Sequence, residues 1–382
     1  MRIAIVGNGR AGSTAARVLR EKYACSVDVF SDETRFHYAR TALMYVSMGA
    51  VAPSSIITPL PDAQQREIAS LDELRGYDAV VLATGSRPVL PPWCTELDAD
   101  VQCYTAWNDV AMLADARANK KRCVVVGGGL IGAEVAEVLH HQSVPYTWLI
   151  RGTGVADDIV PGNESVMITR HMQQSGIAMQ VASDVVAMVR EGGRVTGLTL
   201  HSGETLAADH VVLATGSTPS VALAQRAGLE IATGVVVDAS FRTSLPHVYA
   251  IGDCAQPPWG IRPTWHDARA HGEHVAHVIA GGADAYVPSM PSMQATFLHL
   301  EWYSVGDTSS ESDSWYWRDP HNDRSVRLYH RNSHVVGVQT LGIRIAREIC
   351  EAWIAQSLNV DAVRARFADA VVDPEFTPTV VL

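Results

Sequence analysis

The sequence GNGRAG at Gly7–Gly12 decides the fold, together with a second copy, GGGLIG, at Gly127–Gly132. Each copy follows a short apolar run, Arg2–Val6 in the first case and Cys123–Val126 in the second. Each also precedes a stretch rich in alanine and leucine, so a buried parallel strand is expected to lead into a helix. One such motif is a weak indication, but two copies predict two dinucleotide-binding sites on one chain.

The glycines of each copy have separate roles. The first allows a tight turn out of the strand, the second lets the backbone approach a pyrophosphate, and the third permits close packing of helix on sheet. The helix then presents unpaired N–H groups and its positive dipole end to the phosphates. The residues predicted to bind in this way are Gly7, Gly9, Ala11 and Gly12 in the first copy, and Gly127, Gly129, Leu130, Ile131 and Gly132 in the second.

Composition and charge exclude several classes of function. The 382 residues are enough for two or three domains. The net charge of −11 argues against nucleic acid and anionic membrane surfaces as partners. No apolar stretch reaches the ~20 residues of a membrane span, and Gly7 interrupts the first apolar run too early for a signal peptide. We therefore expect a cytoplasmic protein.

Cysteine and histidine spacing argues against a redox disulfide and a metal centre. None of the six cysteines forms a C-x-x-C pair or has zinc-site spacing, so buried thiols are expected. Four histidines crowd the helix predicted over residues 263–279, but no cysteine or carboxylate set completes a ligand sphere. We predict no metal, and we expect the last three histidines to line a domain or subunit contact. The four are His266, His271, His274 and His277.

An internal duplication organises the rest of the chain. The turn Ala83-Thr84-Gly85 follows the first glycine motif, and a near copy at Ala214–Gly216 follows the second, which indicates two similar modules. Residues 49–76 read as a loop and a short polar helix. From about Ser292 the pattern alternates as in antiparallel strands. The predicted fold is α/β, with two Rossmann-like dinucleotide-binding domains and a C-terminal α+β domain.

Polar residues near the motifs supply further candidates. An acid near the end of the second strand holds ribose hydroxyls in dinucleotide sites, and Asp32 has that position here; the alternative is a solvated turn acid. The planar fork of Arg40, beside Thr41, is predicted to clamp a pyrophosphate, unless it is an exposed helix arginine. Gly252-Asp253 ends a strand, where the carboxylate can accept a hydrogen bond from a sugar-like hydroxyl.

These motifs together resemble the flavin-dependent pyridine-nucleotide reductases with two dinucleotide-binding domains, which include glutathione, ferredoxin and rubredoxin reductases and apoptosis-inducing factor. The resemblance implies that the first motif holds FAD, that Asp253 contacts its ribityl–phosphate region, and that the second motif holds NAD(P)H. It also implies an FAD domain in two segments, 1–105 and 220–290, around an NAD(P)H domain at 106–219. Residues 291–382 then form the C-terminal interface domain. The lack of a redox disulfide favours the ferredoxin and rubredoxin reductase branch.

The resemblance also suggests catalytic residues, and the sequence departs from the family pattern at two places. The first departure is Tyr45, which stands where that branch has a lysine, whereas the glutamate that pairs with this lysine matches Glu134. Trp265 and His266 open a helix that in the family lies near the flavin, where a helix N-terminus stabilises negative charge. The second departure is a shortened stretch between residues 49 and 77. The predicted catalytic residues are Tyr45, Glu134 and His266; Trp265, Ala83, Thr84, Gly85 and Gly216 join the cofactor-binding set.

The predicted function is an FAD-dependent NAD(P)H oxidoreductase that passes hydride from nicotinamide to flavin and on to a small molecule or a redox protein. NADPH is expected rather than NADH, because Arg151 and not an acid follows the strand Tyr146–Ile150. A homodimer or hetero-oligomer through the C-terminal domain is expected. One alternative is a flavin-dependent oxidase or dehydrogenase of a specialised metabolite with a vestigial second motif. Another is a non-catalytic binding or regulatory subunit on this fold.

Overall fold

The computed structural model describes residues 1–61, 63–309 and 311–372. The chain divides into two compact units, each assembled from separate segments. Unit 1 consists of Met1–Leu97, Gln102–Asn119 and Thr215–Pro288. Unit 2 consists of Asp98–Val101, Lys120–Ala214 and the described residues from Ser289 onward. Among the helices in these ranges, none combines the length and the apolar character that crossing a bilayer requires.

Unit 1 is built on a five-stranded parallel sheet with the first glycine motif at its centre. Continuous apolar runs such as those around Ile5 and Val81 form these strands, and both side chains are fully buried because parallel sheets are covered on both faces. The strands lie in the order Val248–Ala250, Ala79–Leu82, Arg2–Val6, Ser26–Ser31 and Ala63–Gln65.

Two long helices of unit 1, Arg10–Tyr23 and Trp265–Ile279, pack against each other through small residues. A Cβ atom added to Gly272 would lie 2.5 Å from the Ala11 carbonyl oxygen, so only glycine permits this approach. The other elements of unit 1 are short. They are the strands Phe36–Tyr38, Ile57–Pro59, Ser86–Pro88, Ser217–Pro219, Val235–Val236 and Ala255–Gln256, the α-helices Leu43–Ser47, Asp109–Ala118 and Ala222–Arg226, and the 3-10 helices Arg40–Ala42, Pro53–Ile56, Leu71–Leu74 and Gly252–Cys254.

The segment between residues 49 and 76 has the predicted short polar helix, a 3-10 helix at Leu71–Leu74, but it also contains two short strands where the sequence predicted a loop. Ile57–Pro59 pairs with Phe36–Tyr38, and Ala63–Gln65 pairs with the end of Ser26–Ser31. Neither strand exceeds three residues, and Pro59 ends the first of them. Strands of three residues are too short to show a periodic pattern, and they form here by pairing with strands distant in sequence. The sequence therefore did not predict these two strands.

Unit 2 repeats the parallel architecture around the second glycine motif. The residues of the strand Val101–Cys103 are divided between the units, with Val101 assigned to unit 2 and Gln102 and Cys103 to unit 1. The helices Leu130–His141 and Gly162–Gln174 follow two strands of the parallel sheet. The sheet includes, in order, Met179–Gln180, Tyr146–Leu149, Cys123–Val126 and His210–Leu213, and a separate antiparallel sheet contains Val185–Glu191, Arg194–Leu200 and Thr205–Ala207.

The C-terminal part of unit 2 is a five-stranded antiparallel sheet covered by short helices. Trp353 and Phe367 from the helices pack in its core. Its strand Ser325–Arg331 carries Arg327, which forms an ion pair with the fully buried Glu164 at 3.0 Å. The strand order is Ser292–Phe297, Leu300–Gly306, His334–Leu341, Ser325–Arg331 and Asp313–Arg318, and the helices are Arg347–Ala355, Val360–Ala365 and the 3-10 helix Phe367–Ala370. The predicted fold class is thus confirmed.

Candidate functional site

The first glycine motif, Gly7–Gly12, forms a tight turn that we call the first cradle. Gly7 has a φ of +113°, and a Cβ there would lie 2.1 Å from the Ala83 carbonyl oxygen. A Cβ on Gly12 would lie 2.0 Å from the Gly7 carbonyl oxygen. Both positions therefore require glycine. Gly9 is different, because no described atom lies within 4 Å of its added Cβ, so its backbone faces open space.

The helix that starts in the first cradle leaves its N-terminal N–H groups available. Gly9 is its N-cap and offers no side-chain cap, and the first turn holds no acidic residue. These unpaired donors and the positive helix end suit an anion. The open backbone at Gly9 and the uncapped helix end together fit a pyrophosphate group.

Asn8 fixes the first cradle to the segment that follows the second strand. Its buried amide nitrogen donates to the Thr34 carbonyl at 2.7 Å, the Thr34 hydroxyl at 2.9 Å and the Phe36 carbonyl at 2.9 Å. The Nδ1 atom of His37 lies 3.1 Å from the Asn8 carbonyl oxygen. Residues 34–37 are thereby held beside the cradle.

Glu33, the neighbour of the predicted Asp32, is the acid that organises this wall. Asp32 is exposed, whereas Glu33 accepts hydrogen bonds from Arg40, the Tyr38 hydroxyl and the Trp107 backbone N–H. Burial acts to raise the pKa of Glu33, but Arg40 and these donors outweigh it and hold the pKa below its usual value. Sequence reasoning missed Glu33, and its one sequence signal is its position seven residues before Arg40.

Arg40 is paired with Glu33 and acts electrostatically on another predicted FAD residue, Asp253. Its guanidinium donates to the Thr105 carbonyl at 2.5 Å as well as to Glu33, and its charge acts on the Asp253 carboxylate. Burial raises the pKa of Asp253, partly offset by the Ser86 hydroxyl at 3.5 Å. Arg40 and Asp253 both belong to unit 1, and the charge of Arg40 acts to lower the pKa of Asp253.

Neighbouring residues complete the surroundings of the first cradle. An added Cβ on Gly252 would lie 3.0 Å from the Ala11 side chain, so the turn that carries Asp253 lies against the cradle helix. Thr84 donates from its hydroxyl to the Ser220 carbonyl at 2.7 Å, which fixes the turn Ala83–Gly85. Thr41 is exposed in the 3-10 helix that begins at Arg40.

Trp265 and His266 open the helix Trp265–Ile279 and are both exposed. Their ring centroids lie 3.7 Å apart, and the Arg10 guanidinium lies 5.5 Å from the Trp265 ring centroid. Arg10 therefore links this helix end to the first cradle. Thr264 caps the helix by accepting from the Asp267 N–H at 3.1 Å.

The histidines of this helix do not form a metal site. His271 is buried, accepts from the Gly252 N–H at 3.3 Å and packs 4.3 Å from the Phe241 ring. Burial lowers its pKa to about 4, so it is neutral at physiological pH. The expectation that His271 lines a domain or subunit contact is wrong, because it lies in the core of unit 1. Within the described residues, no group of three or more His, Cys, Asp or Glu is arranged to hold a metal ion.

The second glycine motif, Gly127–Gly132, forms the second cradle, in unit 2. A Cβ on Gly132 would lie 2.0 Å from the Gly127 carbonyl oxygen, which also accepts from the Trp148 indole nitrogen at 2.7 Å. A Cβ on Gly128 would lie 2.6 Å from the Ile150 side chain. Gly129 repeats Gly9, since no described atom lies within 4 Å of its added Cβ. The helix that follows begins at Leu130, with Ile131 next in its first turn, and no side chain caps its N-terminus.

Two carboxyl groups on the second cradle helix have raised pKa values. Burial, with a contribution from Glu137, raises the pKa of Glu134 to about 7. Burial also raises the pKa of Glu137 to about 7, against the Leu298 N–H that donates to it at 2.9 Å. Glu134 therefore titrates near neutral pH and can hold or release a proton there.

The remaining predicted residues are Arg151, Tyr45 and Gly216. Arg151 is exposed and follows the strand Tyr146–Leu149. Tyr45 lies on the short helix Leu43–Ser47 of unit 1, with 46% of its surface exposed. Gly216, with a φ of +102°, accepts from the Val89 N–H at 3.0 Å in unit 1.

Comparisons of the sequence and the fold with known proteins all find oxidoreductases. Residues 72–272 match the profile described as pyridine nucleotide-disulphide oxidoreductase. A nitric oxide reductase FlRd-NAD(+) reductase of Salmonella typhimurium is 30% identical over 260 residues, 67% of this chain and 67% of that protein. The protein of the same name in Aliivibrio fischeri is 24% identical over 366 residues, 90% of this chain and 95% of that one. In fold, the chain resembles one in a covalent putidaredoxin reductase–putidaredoxin complex, with a TM-score of 0.83, 22% identity and 94% coverage of each chain.

Proposed function

The chain belongs to the pyridine nucleotide-disulphide oxidoreductase family, and we propose that it is the reductase of an electron-transfer pair, taking electrons from NADPH and delivering them to a small redox protein. The resemblance inferred from the sequence is confirmed, and the chain is an NAD(P)H oxidoreductase of the flavoprotein class. That family implies FAD and NAD(P)H as cofactors. The observation that carries the proposal is the presence of two open cradles, one in each unit.

The first cradle is proposed to hold FAD. Bound together, the two cofactors supply hydride transfer from nicotinamide to flavin and the later release of electrons. The open backbone at Gly9 and the uncapped helix end bind the pyrophosphate. Asp253 is proposed to accept a hydrogen bond from a hydroxyl of the cofactor's polyol chain. Burial raises the pKa of Asp253, and the Ser86 hydroxyl and the charge of Arg40 partly oppose that rise.

The helix end at Trp265 is proposed to stabilise negative charge on the reduced ring. Its first turn supplies N–H groups and the positive end of a 15-residue helix. His266 and Tyr45 are exposed in unit 1 and available to a cofactor or partner. Their proposed role is to exclude water and orient the ring.

The second cradle is proposed to bind NADPH in preference to NADH. Arg151 is exposed directly after the strand where an NADH site carries an acid, so it can pair with a 2′-phosphate. One observation favours NADH instead: the Asp157 carboxylate accepts from the Thr153 N–H at 2.7 Å, occupying a donor in the same loop. Glu134 is proposed to hold a proton near the nicotinamide, since its pKa of about 7 allows both states.

A redox protein is the proposed acceptor because this chain offers no thiol relay. All six cysteines are free and buried, so none is placed to accept electrons as an exposed disulfide. Electrons therefore leave directly for a partner. The two sequence relatives are named as reductases of FlRd, which supports a protein acceptor.

The proposal is tested by the visible spectrum of purified protein before and after anaerobic addition of NADPH, with NADH as the comparison. Flavin bands that bleach faster with NADPH support both the reductase and the role of Arg151. Faster bleaching by NADH retains the reductase and overturns the preference. Bands that stay oxidised with both contradict the proposed donor, and a colourless protein that takes up no added FAD contradicts the function.

A further inference from the structure

A cavity of about 340 Å³ lies beside the first cradle helix, entirely within unit 1. Four arginines line it: Arg10, Arg17 and Arg20 from one face of that helix, and Arg269 from the helix Trp265–Ile279. Apolar side chains after the strand Ile57–Pro59 form the opposite rim. So many guanidinium groups around one cavity are unexpected in a chain of net charge −11.

The charges in this arginine cavity are not balanced by carboxylates. Arg17 pairs with Glu21 at 3.2 Å and Arg269 pairs with Glu273 at 2.9 Å, each within its own helix. Arg20 donates to a backbone carbonyl, and Arg10 forms no ion pair among the described residues. Four guanidinium groups thus face two carboxylates, and the mutual repulsion favours an added anion.

Arg10 shows the repulsion most clearly. Its Nε atom is buried without a hydrogen-bond partner in the described part of the chain. Burial, followed by the charges of Arg269 and Arg17, lowers its pKa. A buried donor without a partner is costly, and a bound oxyanion would supply that partner while neutralising the cluster.

The cavity extends beyond the place proposed for the FAD pyrophosphate. Arg17 and Arg20 lie seven and ten residues after Arg10, which corresponds to about 10 and 15 Å along the helix. A pyrophosphate at the uncapped helix end does not span that distance. The apolar rim, which includes Leu60 and Pro61, faces the same space and suits the organic body of a ligand.

We propose that the arginine cavity is a binding site for an organic phosphate, a phosphate ester whose charged group contacts the arginines and whose apolar part contacts Leu60 and Pro61. Planar guanidinium forks match phosphate oxygens and make charge-assisted hydrogen bonds. The volume of about 340 Å³ accommodates a small ligand. This site shares Arg10 with the first cradle but extends away from it along the helix to Arg17 and Arg20. It does not depend on the proposed electron acceptor.

The test is calorimetric titration of the FAD-loaded protein with phenyl phosphate, with the second cradle filled by saturating NADP⁺. We expect one binding event per chain that weakens at least about tenfold in the double variant Arg17→Gln, Arg269→Gln, since each lost charge-assisted bond is worth about that factor. The matched control, Arg75→Gln with Arg242→Gln, also removes two ion-paired arginines from unit 1. It should bind as the parent does.

Several results would overturn the proposal. Absence of binding does so directly, as does equal weakening in both double variants, which would indicate a general charge effect. Inorganic phosphate binding as tightly as phenyl phosphate would refute the organic ligand. The flavin spectrum and its bleaching by NADPH are recorded for every variant and should not change. Failure of the electron-transfer proposal is therefore seen separately from failure of this one.

Discussion

The two cradles have the same kind of backbone turn, but the residues that surround the turn differ. The residue after the first glycine is Asn8 in one and Gly128 in the other. Asn8 donates three hydrogen bonds to Thr34 and Phe36, so the next segment of unit 1 is fastened to the turn. Gly128 is instead covered by the Ile150 side chain and accepts from the Ala156 N–H at 2.7 Å.

This difference indicates different residence times for the two ligands. The first cradle is surrounded by side chains in fixed polar networks, including Glu33 with Arg40 and Asp253 with Ser86. The second is bounded by apolar contact and a loop, with Arg151 exposed. A pre-organised polar site suits a cofactor that stays, whereas an open one suits a coenzyme that exchanges at each turnover.

The largest effect is expected from adding one methyl group to either cradle, which should disturb only the ligand of that cradle. In Gly9→Ala, the added methyl meets no described atom, so the fold is retained while the approach of FAD is blocked. We expect unchanged thermal unfolding and at least about tenfold less flavin per chain. Gly129→Ala, the matched variant, should keep its flavin and lose reduction by NADPH. The ratio of flavin to protein absorbance after gel filtration measures this, and flavin loss in both variants would contradict the assignment.

Exchanging the residues that distinguish the cradles should produce the next largest effect. Asn8→Gly removes two buried hydrogen bonds to Thr34 and one part-buried hydrogen bond to Phe36. It should lower the free energy of unfolding by about 1–3 kcal/mol, with faster flavin loss. Gly128→Asn places a Cβ 2.6 Å from Ile150 and should cost about 1–3 kcal/mol through overpacking, without loss of flavin. Denaturant unfolding and flavin release are the measurements. Flavin loss from the second variant alone would reverse the comparison.

The variant Arg151→Gln tests whether Arg151 sets the coenzyme preference of the second cradle. Removing the charge proposed to pair with the 2′-phosphate should reduce the preference for NADPH over NADH by about tenfold in kcat/KM. Arg331→Gln, which removes an exposed arginine elsewhere in unit 2, is the control and should leave the ratio unchanged. An unchanged ratio in Arg151→Gln would instead assign NADH to this site.

The smallest expected effect concerns the pH dependence of stability. Because the folded-state pKa of Glu134 is about 7, above its usual value of 4.5, its ionisation disfavours the folded state as pH rises through that interval. Glu134→Gln should therefore raise the melting temperature near pH 8 and change it little near pH 5. Glu191→Gln, at an exposed glutamate of unit 2, should show no such difference. A constant shift at both pH values would exclude the raised pKa.

The parts of the molecule predicted from sequence are those encoded locally. Each cradle is specified by six consecutive residues, and Gly7 and Gly12 are required by contacts with neighbouring backbone. The Glu33 network escaped prediction because its donors include Trp107, which is 74 residues away. The arginine cavity escaped for the same reason, since Arg269 joins a helix near the N-terminus only through tertiary packing. Asp32 and Glu33 are adjacent in sequence, yet Asp32 is exposed and Glu33 accepts the hydrogen bonds of the network.

The packing of Gly272 against Ala11 has a consequence for synthesis on the ribosome. The first cradle helix is translated long before its partner helix, Trp265–Ile279, which comes near the end of unit 1. The edge strand Val248–Ala250 is equally late. A nascent chain therefore carries an unfinished first cradle while most of the intervening unit is translated. A product that terminates before Val248 lacks Asp253 and the covering helix, leaves apolar faces of the first strands uncovered, and is a substrate for chaperones or proteases.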